Sequence, residues 1–262
     1  MRKTDVFKKH LREKRAVQII DYGYDLENIK RVSVAAQSGM ASSVCVSASK
    51  ETIKRAKEYT KLCVFGASYN PFKLLEAMKE GADGIVIGNY NELYKNNMLL
   101  TVDDIYEIVV EAMSLTKKFE PFVAVTIPGY MQIEDQIELA KKLEILGVDL
   151  IQTEGVQMIK SMAIKGSVGS AKISIGNTME LFDNVRLPIM TMSGLTEKTV
   201  PLAFSAGARG VGVGSCVNKM DTQMGMTAKV RDIVGSIAYN RRASRELKEE
   251  SINSSASFFA LS

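Results

Sequence analysis

Two carboxylates and two serine–glycine pairs are the residues of this sequence best suited to chemistry. Asp21, in "IID" at 19–21, and Glu154, in "QTEG" at 152–155, each close an apolar run, where a side chain emerges among other polar groups. A carboxyl so placed can take and return protons, and burial brings its pKa toward neutrality. An alternative reading has each carboxylate ordering its own loop by accepting N–H bonds. Ser193-Gly194 and Gly214-Ser215 also close apolar runs, in "TMSGLTEKTVPLAFSAGARGVGVGSCV" at 191–217. Glycine removes the side chain that would hold an anion off the backbone, and serine adds a hydroxyl donor. A helix start behind them favours negative charge. Two such loops at adjacent strand ends read as the halves of one phosphate cradle. Relief of crowding in tight turns is the plainer alternative.

Composition excludes several other chemistries. His10 is the only histidine and lies in the basic segment "RKTDVFKKHLREKR" at 2–15, so no Ser-His-Asp triad can be assembled elsewhere. Cys45, Cys63 and Cys216 lack C-x-x-C spacing and sit in or beside apolar runs, which fits small buried residues in a reducing compartment rather than a metal site. No apolar run approaches the ~18 residues of a membrane span, and no signal-peptide core precedes the first strand. The basic N-terminal segment reads as a solvated helix face, with neither nucleic acid nor membrane expected as a partner. Self-association stays open.

The elements that must position these residues repeat one alternation. Strands are expected at 16–20, 43–46, 62–65, 84–87, 122–126, 149–152, 188–191 and 210–213. Helices are expected at 26–37, 50–58, 71–80, 102–118, 132–146, 170–182, 196–206 and 221–240. Asp25 and Thr101 supply polar caps at helix starts. "EGADG", "LGVDL" and "AGARG" each end a helix on glycine and begin the next strand within a residue or two. Strand–helix units in this number make an α/β fold, a single (β/α)8 TIM barrel over 16–240. An N-terminal helical segment at 1–15 precedes it, and a tail at 241–262 starts helical and then frays. A doubly wound open sheet would need a G-x-G-x-x-G turn after the first strand, where "IIDYGYDLEN" has only Gly23.

In a barrel the residues after each strand converge on one mouth, which adds Ser47, Asn89 and Gln152 to the candidates. The segment "VQMIKSMAIKGSVGS" at 156–170 is long for a connection and reads either as a lid, with Lys160 and Lys165 able to swing toward an anion, or as a surface helix packed through its methionines.

"IPGYMQIEDQIELAKKLEILGVDLIQTEG", "EGADGIVIGNYNELY", "AAQSGMASSVCVS" and the 191–219 segment ending in "GVGSCVNK" together resemble a family. It is the conserved hypothetical open-reading-frame family of algal plastids and cyanobacteria, a domain family of unknown function. The resemblance runs from about Ala16 to Arg242. It implies an aldolase-type barrel of the phosphate-binding class, at work in the plastid stroma or a cyanobacterial-type cytoplasm. It supplies no activity, and "VFGAS", "VIGN" and "QTEG" hold none of the strand-end lysines that related barrels use for imine chemistry.

These readings converge on a barrel that binds a small phosphorylated metabolite. In the first form it is an isomerase or lyase using Asp21 and Glu154 for proton transfer. In the second it is a non-catalytic binding or regulatory protein. A third form binds flavin mononucleotide (FMN) through its phosphate.

Overall fold

The structure is a computed structural model, and it describes residues 2–155 and 167–237. Eight parallel strands close on one another in sequence order, so the open-sheet alternative is excluded. They are β1 (Ala16–Asp21), β2 (Ser43–Ser47), β3 (Cys63–Ser68), β4 (Gly84–Ile87), β5 (Phe122–Ile127), β6 (Leu150–Thr153), β7 (Ile189–Thr191) and β8 (Gly210–Val213). β8 pairs with β1 through Ala16 opposite Gly210 and Ile19 opposite Val213, which completes the ring.

The helices that cover the ring follow from local signals. α2 (Leu26–Ser38) starts where the Asp25 carboxylate accepts from the N–H groups of Glu27 and Asn28. α3 (Lys50–Tyr59) is capped by Ser49, and α4 (Pro71–Lys79) by Asn70 with proline in its first turn. α5 (Asn91–Lys95) is a short turn of helix that the sequence pattern does not announce. α6 (Val102–Thr116) begins with a capping box between Thr101 and Asp104. α7 (Ile133–Leu146), α8 (Ser167–Asn184), α9 (Val200–Ser205) and α10 (Ser215–Asn218) follow, then a further helix over 223–237. α9 starts later than the expected 196 because Thr196 to Thr199 form a turn, the Thr196 N–H donating to the Thr199 hydroxyl.

Gly81, Gly147 and Gly207 all adopt left-handed φ angles, of 89°, 88° and 104°. Side chains resist that conformation, so these glycines are what lets three helices stop and the chain reverse into a strand. The residue that then enters the strand anchors on its neighbour. Asp83 and Asp149 each donate a backbone N–H to the preceding strand and accept another with a carboxylate oxygen, from Val64 and Val123 respectively.

Apolar residues fill two spaces. The larger lies between the ring and its helices, and the smaller lies inside the ring. The N-terminal helix α1 (Lys3–Arg12) closes the floor of the barrel. Its Phe7 sits 5.1 Å from the ring of Phe65 and 5.4 Å from that of Phe122, a three-way edge-to-face cluster completed by the 5.6 Å Phe65–Phe122 contact. His10 is therefore at the floor, with Nδ1 2.8 Å from the Ser42 hydroxyl, and its pKa is lowered by burial. It takes no part at the mouth. Among the described residues no helix is long and apolar enough to cross a membrane. The expected tail at 241–262 lies outside the described residues.

Candidate functional site

β6, β7 and β8 end side by side, and their ends enclose a cavity of about 150 Å³. Glu154, Ser193, Gly194, Gly214 and Ser215 all line it, so the structure brings together five of the residues expected from sequence. Gly155, next to Glu154, has a packing reason. A Cβ there would lie 2.4 Å from the carbonyl oxygen of Ser170, so glycine lets α8 approach the end of β6. Thr153, Thr178 and Thr191 are joined by hydroxyl contacts of 2.9 and 2.7 Å, which tie β6 and β7 to that helix.

Ser193 and Gly194 have φ angles of 70° and 68°. A left-handed serine costs free energy of order 1 kcal/mol, and such strain persists where a backbone direction matters. The N–H groups of Gly194, Leu195 and Ser215 have no hydrogen-bond partner among the described residues. Three unpaired donors from two loops thus belong to the lining of one cavity. Asn218, at the end of α10, fastens that helix to β1 by donating from Nδ2 to the carbonyl oxygen of Ile20 at 3.0 Å.

Glu154 is buried and 9% exposed. The Tyr94 hydroxyl donates to its Oε2 at 2.8 Å. Burial pushes its pKa up to about 7, while the hydrogen bonds from Tyr94 and the Gly129 N–H keep it from rising further. A carboxyl that titrates near neutrality can both release and accept a proton under ordinary conditions. Tyr94 packs at a tilt against Tyr90 and edge-to-face against Tyr130, with centroid separations of 6.1 and 5.6 Å, so its hydroxyl is held in place. The Tyr94 hydroxyl is itself raised well above its usual range, first by burial and then by the Glu154 charge, and it stays protonated as a donor. Sequence reasoning missed Tyr94 because it lies on the five-residue α5, too short to show a helical period.

Asp21 is placed differently. Its Oδ1 accepts from the Gly23 N–H at 2.8 Å, and its Oδ2 accepts from Nδ2 of Asn28 at 2.8 Å. It is absent from the lining of the cavity beside Glu154. Its carboxylate orders the turn into α2, which was the alternative reading of the sequence. Gln152 also differs from the mouth position expected of it. It is fully buried and bridges the barrel interior, donating to Gln18 at 3.2 Å and accepting from Thr126 at 3.1 Å. Ser47 is buried as well, and its hydroxyl donates to the carbonyl oxygen of Tyr22 at 2.8 Å. Asn89 does reach the cavity, and it is held in a left-handed conformation with φ 59°. Lys165 and most of the expected lid, 156–166, lie outside the described residues. Residues 167–170 form the first turn of α8.

Tyr22, Asn89 and Asn91 line this cavity and also a second one of about 540 Å³ over the ends of β3 and β4. The mouth is therefore a small chamber lined by Glu154 and the two serine–glycine loops, beside a larger polar chamber.

A family model described as a protein of unknown function, DUF561, matches residues 2–243. The chain is 34% identical over 230 residues to the uncharacterized protein ycf23 of Cyanidium caldarium, covering 84% of this chain and 91% of that protein. It is 29% identical over 234 residues to the ycf23 protein of Cyanophora paradoxa, covering 88% and 96%. Among solved structures, a 3-hexulose-6-phosphate synthase superposes with a TM-score of 0.65 at 12% identity, over 85% of this chain and 99% of that one. The (S)-3-O-geranylgeranylglyceryl phosphate synthase of Thermoplasma acidophilum, in complex with its substrate sn-glycerol-1-phosphate, superposes with a TM-score of 0.61 at 15% identity, over 88% and 98%. At these identities the likeness is one of fold.

Proposed function

This chain belongs to the DUF561 family, and we propose that it binds a small phosphorylated metabolite at the barrel mouth and transfers a proton on it through Glu154. The phosphate sits against the 193–195 and 214–215 backbone, and the carbon frame extends past Glu154 into the larger chamber. The observation that carries this reading is the convergence, in one cavity, of three backbone N–H groups that have no partner among the described residues and a buried carboxyl with a pKa near 7. Backbone donors held by a rigid frame suit an anion whose position must be kept while a neighbouring bond changes. The superposable barrels whose names carry a phosphorylated compound support the ligand class. The reaction class is isomerisation or carbon–carbon lysis, both of which turn on removing or returning a proton beside a carbonyl group. The algal origin of the relatives supports a plastid stroma or cyanobacterial-type cytoplasm as its place of work.

The test is solvent exchange. Incubation with a panel of triose, pentose and hexose phosphates in deuterium oxide, followed by proton NMR, is expected to show deuterium entering one of them with the native protein. Glu154→Gln is expected to bind the same compound and abolish exchange. A compound that binds at the mouth and never exchanges would make this a binding protein instead. A flavin spectrum in the purified protein would show that it binds a flavin, in favour of the third reading of the sequence.

A further inference from the structure

We infer a second anion site, on the floor of the barrel, that takes the polyphosphate group of a small molecule. A cavity of about 360 Å³ opens beneath β5 to β8, and its lining includes Lys8, Arg12, Asp149, Arg186 and Arg209. Four cations face a single carboxylate there. That carboxylate is already engaged: Asp149 accepts from Lys8 Nζ at 2.8 Å with Oδ1 and from the Val123 N–H at 2.9 Å with Oδ2. Among the described residues, no carboxylate forms an ion pair with the guanidinium groups that line the cavity.

The arginines of the described residues divide cleanly. Arg2 and Arg15 pair with glutamates, as does Arg55 with Glu58. Arg31 donates to the carbonyl oxygens of Met220 and Asp221, and Arg231 to that of Ser38. Arg12, Arg186 and Arg209 have no side-chain hydrogen bond or ion pair among the described residues, and all three line the one floor cavity. They come from the end of α1, the α8–β7 turn and the α9–β8 turn, far apart in sequence.

Arg209 is also out of pattern. Three helices end on a left-handed glycine, and in two of them the residue that enters the next strand is Asp83 or Asp149, whose carboxylate accepts the N–H at the start of the neighbouring strand. In the third turn, "AGARG", that position is Arg209. Its backbone keeps the bond to Ile189 at 2.8 Å, but its side chain can accept nothing, so the strand-anchoring service is given up for a cation. Arg186 is likewise fixed through its backbone, its N–H donating to Glu144 Oε1 at 2.8 Å. Two of the three guanidinium groups thus stand on anchored backbone.

A guanidinium presents a planar fork that meets two oxygens of a phosphate at once. Three forks with a lysine beside them offer more donors than one phosphate group can engage, and a chain of two or three phosphates uses them fully. This site is independent of the reading given to the mouth, which opens at the other end of the barrel.

Pyrophosphate is the probe, titrated into the full chain by calorimetry at low salt. One saturable event is expected that Arg186→Ala with Arg209→Ala weakens at least about tenfold, with the melting temperature of the double variant recorded alongside. A second measurement needs no variant. Phenylglyoxal labelling of the native protein, read by peptide mass spectrometry, is expected to show Arg12, Arg186 and Arg209 protected by pyrophosphate while Arg2 labels at the same rate. No saturable binding, an affinity unchanged in the double variant, or equal labelling of all four arginines with and without pyrophosphate would each overturn the assignment.

Discussion

Tyr94 donates its hydroxyl hydrogen to Oε2 of Glu154 at 2.8 Å, at the wall of a cavity that also holds the two serine–glycine loops. This bond lowers the Glu154 pKa while burial raises it, and burial is the larger effect. The balance near 7 leaves the carboxyl able to exchange a proton, and two measurable properties of the protein follow from it.

The first is stability against pH. The folded pKa of Glu154, about 7, lies above the ordinary value of 4.5, so the folded chain holds a proton that the unfolded chain releases. The contribution is fully present below pH 4.5 and is lost as pH rises through 7, with a swing of about 3 kcal/mol. Glu154→Gln keeps an oxygen for Tyr94 and carries no charge. Its melting temperature is expected to equal that of the native protein near pH 4.5 and to exceed it at pH 8.

Tyr94→Phe is expected to move the Glu154 titration upward by about one unit, because the donor that favours the ionised form is gone. Carbon-13 NMR of glutamate-labelled protein, with Glu154→Gln to assign the signal, reads this directly. An unchanged titration would mean that the 2.8 Å bond has no electrostatic weight.

Ser193→Gly should separate stability from binding. The left-handed φ of 70° favours glycine, so the variant is expected to gain up to about 1 kcal/mol against denaturant. Loss of the hydroxyl donor is expected to weaken glycerol-phosphate binding several-fold by calorimetry. A variant that loses stability would show that the strain is relieved by contacts of the serine side chain.

Asp21→Asn tests the assignment of that carboxylate to the β1–α2 turn. The amide can accept from Gly23 but faces Asn28 Nδ2 with a second donor, which costs about 1–2 kcal/mol of stability. The Glu154 titration is expected to stay where it is. A shift there, with stability unchanged, would return Asp21 to the proton-transfer machinery.

The sequence made the barrel readable because its signals are local. The limits of β4 and β8 coincide with the apolar runs at 84–87 and 210–213, and Gly81, Gly147 and Gly207 mark helix ends by a common left-handed glycine turn. The two serine–glycine loops were readable because a missing side chain at a strand end is visible in one dimension. The difference between Asp21 and Glu154 was not, since both are carboxyls after apolar runs and only their partners distinguish them. Tyr94 reaches Glu154 across 60 residues, and Arg12, Arg186 and Arg209 meet only once the ring has closed. Convergence of that kind is a product of packing, which no local pattern carries.

The central claim, that the 193–195 and 214–215 backbone holds a phosphate beside Glu154, is tested most directly by crystals soaked with glycerol phosphate. The account predicts phosphate density within hydrogen-bond distance of the Gly194, Leu195 and Ser215 N–H groups, with the glycerol carbons toward the Glu154 carboxyl. Phosphate bound instead in the larger chamber, with those three N–H groups left unpaired, would contradict it.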